Sequence, residues 1–250
     1  MIYKIRLKGR QKQGECSAIL TMTFLIIMLS IFSLNLIPLV YASAVRPFLA
    51  GNGKENIAAL AVSSAVLLSL WQVTVCLSFG CDRFMLKRAE NHTAGAGDIF
   101  YYFMPGKLIS LLGFNLRFSA YKFLMLTIVL LPFLLCGYGC YSLCTMGFSA
   151  AVCSIFALFT LIFFLLGIIT YSDICDSLFL TRYRFIKGDY LNFKQLVSQS
   201  QSDMSERVSS LRRLKGSFAG WFLSSVLIVT IPYVWCYYRQ TKACFAAEEY

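Results

Sequence analysis

The chain is short of charge, shorter of acid, and almost without histidine. Of its 250 residues, 14% are charged, twelve are Asp or Glu, and His92 is the one histidine. A water-soluble domain carries about a quarter of its residues as charges, so an ordinary soluble core does not explain this composition. His92 lies in the loop "RAENHTAGAG", and any Ser–His or Cys–His nucleophile would have to use it. The ten cysteines contain no CxxC pair. The sequence has no Walker loop, no dinucleotide-type glycine fingerprint and no inverted repeat. No acid or base stands near the centre of an apolar run, where a proton-coupled carrier would want one. Nothing in this pattern asks for a cofactor.

What the chain has is apolar length. Hydrophobic residues make up 58% of it, with a mean hydropathy of +0.67. Crossing a bilayer takes about 20 consecutive, mostly apolar residues. Five stretches qualify: 17–45, 57–79, 123–141, 144–171 and 217–235. The last, "SFAGWFLSSVLIVTIPYVW", follows "RRLK" and as one straight helix would measure about 28 Å. Trp221 stands near one end, with Tyr233, Trp235, Tyr237 and Tyr238 at the other, as an aromatic belt would. "YASA" at Tyr41 to Ala44 looks like a signal-peptide cleavage site. The apolar run before it is too long for a signal core, which favours a retained anchor. The fold class is therefore all-α: a polytopic transmembrane helical bundle of five spans with interfacial helices, read as a single membrane domain over 1–250.

Charge sets the orientation. Lys and Arg number 5, 2, 6, 0, 8 and 2 in the successive segments outside the five spans. The alternation predicts a multi-pass protein of a bacterial-type inner membrane, with its N-terminus in the cytoplasm and its C-terminus outside. The net charge of +11 then lies beside the spans, facing anionic lipid headgroups. That assignment needs no nucleic-acid partner.

Two cytoplasmic segments, 80–122 and 172–216, read as interfacial. In the first, "FYYFMPGK" and its spaced cations suit the membrane surface, with Pro105 opening a helix. A sixth crossing over 98–122 is the alternative, and it breaks the charge alternation. In the second, Asp173, Asp176, Ser177, Thr181 and Arg184 fall on one helical face. Ile174, Leu178, Phe179, Phe185 and Ile186 fall on the other, and Gly188 allows a break.

Residues 180–250 resemble a family of uncharacterised bacterial integral membrane proteins defined by a domain of unknown function. The resemblance is carried by Met204, then Ser217, Phe218, Gly220 and Trp221, then Pro232 and Tyr233, then Ala243 and Phe245. Glu206 stands where that family has Gly, and "GIITYSD" replaces its Pro-Gly pair. The resemblance implies membrane topology and no activity.

Candidate chemistry is sparse. Cys136, Cys140 and Cys144 share a helical face, suited to a soft metal, to redox chemistry or, more commonly, to packing as small apolar residues. If spans three and five both end outside, Cys144 meets Cys236 or Cys244 there. Gly137, Gly139, Gly167 and Gly220 read as sites of close helix approach. Asp173 and Asp176 form a D-x-x-D that suits Mg²⁺ and a phosphate-bearing substrate, or simply a solvated helix end. Asn35 and Gln72 are polar residues inside spans, and Pro38 and Pro132 are kink sites. The expected role is a non-enzymatic membrane or envelope component, or a complex subunit, working with a membrane protein partner or as a homo-oligomer. A small transporter or channel is the alternative. An inner-leaflet lipid-modifying enzyme using Asp173 and Asp176 is the second.

Overall fold

A computed structural model describes residues 5, 17–46, 53–188, 192–224 and 231–248. The described residues are all-helical, without strands. Four helices are long and apolar enough to cross a membrane, over Thr21–Pro38, Ala61–Ala89, Lys107–Thr145 and Ala150–Lys187. The chain divides into two compact units, Met1–Leu112 with Arg213–Tyr250, and Gly113–Arg212.

The first unit is built on a pair of long helices, α1 (Ser17–Val40) and α2 (Gly53–Ala89). Pro38 lies inside α1 and cannot donate a backbone hydrogen bond. A wide π-helical turn, Tyr41–Val45, follows it directly. The apolar side chains of these helices are largely exposed, Phe32, Leu34, Val62 and Leu68 among them. The buried layer of α2 lies at its basic end, where Cys76, Leu77, Phe79, Cys81, Phe84 and Met85 are covered. α2 stops at Asn91, whose φ of 62° is left-handed, a conformation Asn tolerates better than most residues. Next come α3 (Ala96–Ile99) and a 3₁₀ turn, Tyr101–Phe103, both packed on α2. Gly80 makes that packing close: a Cβ there would stand 1.8 Å from the Ile99 carbonyl oxygen.

The helix expected to begin at Pro105 begins two residues later. Pro105 and Gly106 form a turn, with Gly106 at φ +83°, and α4 runs Lys107–Thr145. Residues 107–122 are thus the first turns of the 123–141 span. This removes the separate sixth crossing and shortens the interfacial segment.

The fifth apolar stretch is not among the four long helices. Residues 225–230 lie outside the described residues, but those flanking them meet. The Phe218 ring packs 5.0 Å from Tyr237 and 5.2 Å from Tyr238, centroid to centroid, and Trp221 lies 6.1 Å from Tyr237. A straight helix would hold Phe218 and Tyr237 about 28 Å apart. The two described pieces pack on each other, α9 (Ala219–Ser224) against α10 (Ile231–Ala247). α10 packs on both α1 and α2 and buries Val234, Cys236, Tyr237, Ala243, Cys244 and Phe245.

The second unit is a hairpin of α4 with α5 (Ala150–Ser177), capped by shorter helices. Gly167 lets the two approach, since a Cβ there would meet the Leu130 side chain at 3.0 Å and the Val129 carbonyl at 3.4 Å. Phe133 and Phe164 pack across the same seam, 5.0 Å apart. At Leu178 the helix breaks, and α6 (Phe179–Lys187) ends on Gly188 at φ +90°, the expected break. Two further helices follow, α7 (Phe193–Met204) and α8 (Val208–Gly216), α8 leading into the first unit. An aromatic column joins the lower turns of α4 to this cap: Phe114 stacks on Phe185 at 4.0 Å and on Phe118 at 5.5 Å, with Phe193 at its edge.

Candidate functional site

The polar chemistry of the first unit gathers where α10 crosses the basic end of α2. Asp82 and Arg239 form an ion pair there, and each side chain is only 7% exposed. Arg239 Nε donates to Asp82 Oδ1 at 3.0 Å, and its guanidinium also donates to the Ser78 carbonyl at 2.7 Å and the Ser78 hydroxyl at 3.3 Å. One turn on, the Gln240 amide donates to the Met85 carbonyl at 3.3 Å. A fork of donors on one helix thus grips a carboxylate and two carbonyls on the other. Neither Asp82 nor Arg239 stands out in the sequence. Their signal was a single acid inside the apolar run "CLSFGCDRFMLK" and an arginine among the aromatics of "WCYYRQ".

Beside this pair, Asp98 ties α3 to α2. It accepts from Lys87 Nζ at 2.6 Å, Arg83 Nε at 3.3 Å and the Gly95 N–H at 3.1 Å. Burial opposes its ionisation, but these donors outweigh it and hold the carboxyl below the ordinary carboxylate value. Arg83 also lies over the Tyr101 ring at 3.7 Å, with Lys107 Nζ at 5.7 Å from the same ring. The result is a cationic, aromatic patch around one carboxylate.

In the second unit, the expected Asp173, Asp176 and Arg184 are placed apart in role. Asp173 pairs with Arg212 at an exposed surface. Asp176 turns inward and is 1% exposed. Arg184 pairs with Asp203 and donates to the Gln199 side-chain Oε1 at 2.7 Å. Among the described residues no group of three or more His, Cys, Asp or Glu is arranged to hold a metal. The face expected to be solvated is in part buried, with Asp176 and Thr181 covered. The reason is α7, which packs on α5 and α6 and sends the Ser200 hydroxyl to the Ser177 carbonyl at 3.3 Å. A helical wheel of one helix does not show the arrival of another.

The residues carrying the family resemblance fall in different surroundings. Met204, Phe218, Ala243 and Phe245 are fully buried, and Phe218, Trp221 and Tyr237 form the aromatic contact between α9 and α10. The Ser217 hydroxyl donates to the Leu214 carbonyl at 2.7 Å. Pro232 falls in the first turn of α10, where a missing N–H costs no bond, and Tyr233 is exposed. Gly220 has open space where a Cβ would stand, so close approach is not its role. A Cβ at Gly137 would make ordinary contact at 3.7 Å, and one at Gly139 would meet nothing.

The cysteines also fall differently. Cys136, Cys140, Cys144, Cys236 and Cys244 are free thiols. Cys236 and Cys244 are buried within the first unit, and neither they nor Cys144 is in a disulfide. His92 is exposed, as its loop implies. Comparison with protein-family models, curated proteins and solved structures finds no match to this chain.

Proposed function

We propose that the chain is a non-enzymatic component of a bacterial-type cytoplasmic membrane, a scaffold or complex subunit that holds anionic lipid headgroups at its basic face. One observation carries this reading. Polar side chains of the long apolar helices bond to their own backbone: Ser30, Ser33, Asn35, Ser69, Thr74, Thr127 and Thr160 each donate to the carbonyl four residues earlier. Such groups are satisfied within one helix and line no shared polar path. The charged groups concentrate instead at the helix ends, where short helices are fastened by ion pairs. Asn35, the residue on which a transport route would rest, bonds Ile31 at 2.8 Å. Asp173 faces Arg212 at the surface while Asp176 is buried, which favours the scaffold over a lipid enzyme acting through that pair.

The packing of α9 on α10 also revises the threading. Four crossings and a returning hairpin put both termini in the cytoplasm. Only Arg46 and Lys54, of 23 Lys and Arg, then fall outside, a stronger positive-inside bias than five crossings give. Membership in the Ser-Phe-x-Gly-Trp family is proposed on the same basis, its motif serving to close that hairpin.

The test is retention of lipid by the purified chain in nanodiscs of mixed phosphatidylglycerol and phosphatidylcholine. Native mass spectrometry is expected to find phosphatidylglycerol enriched on the protein, and equal retention of the two lipids refutes the headgroup reading. A tag after Tyr250 is expected to be sheltered from impermeant reagents in intact cells; labelling from outside restores the five-crossing arrangement. Solute flux in proteoliposomes replaces the scaffold with a transporter.

A further inference from the structure

The turn joining α4 to α5 lies at the hairpin end remote from α6 and α7. Gly147, at φ +75°, makes the reversal. Its N–H donates to the Cys144 carbonyl at 3.3 Å, and the Phe148 N–H donates to the Leu143 carbonyl at 3.3 Å. α5 then starts after Ser149, whose carbonyl accepts from the Cys153 N–H at 3.2 Å. One turn into α5, Cys153 is therefore carried back beside the end of α4.

Three thiols meet there. The Cys153 thiol lies 4.0 Å from the Phe148 carbonyl oxygen, within the turn itself, and the Cys144 side chain is in electrostatic reach of both Cys140 and Cys153. The Cys140 thiol also reaches the Cys153 carbonyl, with sulfur and oxygen 3.6 Å apart. Cys144 is exposed, Cys140 and Cys153 half-buried, and all three are free. A cysteine serving as a small apolar residue is buried; Cys144 sits uncovered in the last turn of a helix.

We propose that Cys144 and Cys153 form a reversible intramolecular disulfide across the hairpin turn, and that Cys140 is the neighbouring thiol that exchanges with it. The partner is a disulfide-bearing oxidant, either a small molecule or a protein. The exposed Cys144 thiolate attacks one sulfur of the oxidant's S–S bond, forming a mixed disulfide and releasing one thiol. The Cys153 thiolate then attacks the Cys144 sulfur and releases the second. Two protein S–H groups and one S–S bond become one protein S–S bond and two S–H groups. The protein loses two electrons and two protons, and the oxidant gains them. No Lys or Arg occurs between Lys122 and Arg182. On the threading proposed above, this turn faces the oxidising side of the membrane, where disulfides persist.

The test uses the full chain in detergent, treated with oxidised glutathione. The intact mass is expected to fall by two hydrogens, with two fewer thiols open to alkylation and a cross-linked peptide pair joining Cys144 to Cys153. Cys140→Ser with Cys153→Ser is expected to stop at glutathione bound to Cys144, whereas Cys140→Ser alone still closes the bond. An unchanged thiol count, a link between two chains, or a Cys140–Cys153 bond overturns the proposal. Sidedness is read separately: after an impermeant reductant, an impermeant maleimide on intact cells is expected to label the wild type more than Cys144→Ser. Equal labelling, with the disulfide still formed in detergent, overturns the threading and leaves the thiol chemistry standing.

Discussion

Replacing Arg239 by Ala should unseat α10 from α2. The change removes the guanidinium from Asp82, whose side chain is 7% exposed. It also removes the donor to the Ser78 carbonyl at 2.7 Å. An ordinary hydrogen bond contributes roughly 1 kcal/mol net. Taking one partner from a buried ion pair costs about 3–5 kcal/mol, because the remaining charge stays in a poor solvent. The second figure dominates, and for a chain of this length it corresponds to a fall in Tm of about 6–20 °C. Trp221 and Trp235 flank the α9–α10 closure, so their fluorescence during heating of the detergent-solubilised protein reports the loss. Asp82→Ala should cost a similar amount. The double change Asp82→Leu with Arg239→Met should cost far less than either single one, since an apolar pair of similar volume replaces a buried ion pair at little or no loss. The reasoning is refuted if Arg239→Ala costs under about 1 kcal/mol, the level of an exposed pair. Equal cost for the double change and the sum of the singles refutes it as well.

Gly80→Ala places a methyl 1.8 Å from the Ile99 carbonyl; α3 must shift, at about 1–3 kcal/mol or more. Gly220→Ala, with open space at the same position, should stay within about 0.5 kcal/mol of wild type, and thermal unfolding of the two variants tests the contrast. Asp98 should make the α2–α3 junction sensitive to acid. Its carboxyl is held below its ordinary value of 3.8, so its contribution is complete above that value and lost as pH falls through the lowered one. Proteolysis in the loop 90–95 should therefore quicken only once the pH falls below 3.8 in wild type, and Asp98→Asn should abolish that dependence. Phe218→Ala should cost about 3–5 kcal/mol as a fully buried aromatic, and opening of the α9–α10 closure should then appear as increased maleimide labelling of Cys236.

Apolar length was the legible part of the fold. The helices over Thr21–Pro38, Ala61–Ala89, Lys107–Thr145 and Ala150–Lys187 follow the first four hydropathy runs, because a lipid-facing helix needs no partner to justify its side chains. Gly188 was legible as a break for a local reason, its left-handed φ. What failed were statements about which helix meets which. "SFAGWFLSSVLIVTIPYVW" has the length and aromatic ends of a crossing, and nothing in it states that Phe218 packs on Tyr237. Asp173 and Asp176 share a wheel face, yet one meets Arg212 and the other is buried. Asp82 and Arg239 are 157 positions apart, a separation no local pattern spans.

That separation points to how the few acids are used. Asp82, Asp98, Asp173 and Asp203 each pair with a cation on a different helix from their own. In a chain with twelve acids against 23 Lys and Arg, acids placed as fasteners leave the excess of positive charge at the basic ends, where phosphate headgroups are the available counter-ions. Losing an acid and losing a cation should then have different consequences. Removing Asp82 or Asp98 loosens a helix junction and lowers stability in any detergent. Removing a surface cation such as Lys107 leaves stability nearly unchanged and lowers the preference for anionic lipid. If both kinds of change lowered stability alike and neither altered lipid retention, the positive charge would be structural, and the basic face would hold no headgroups.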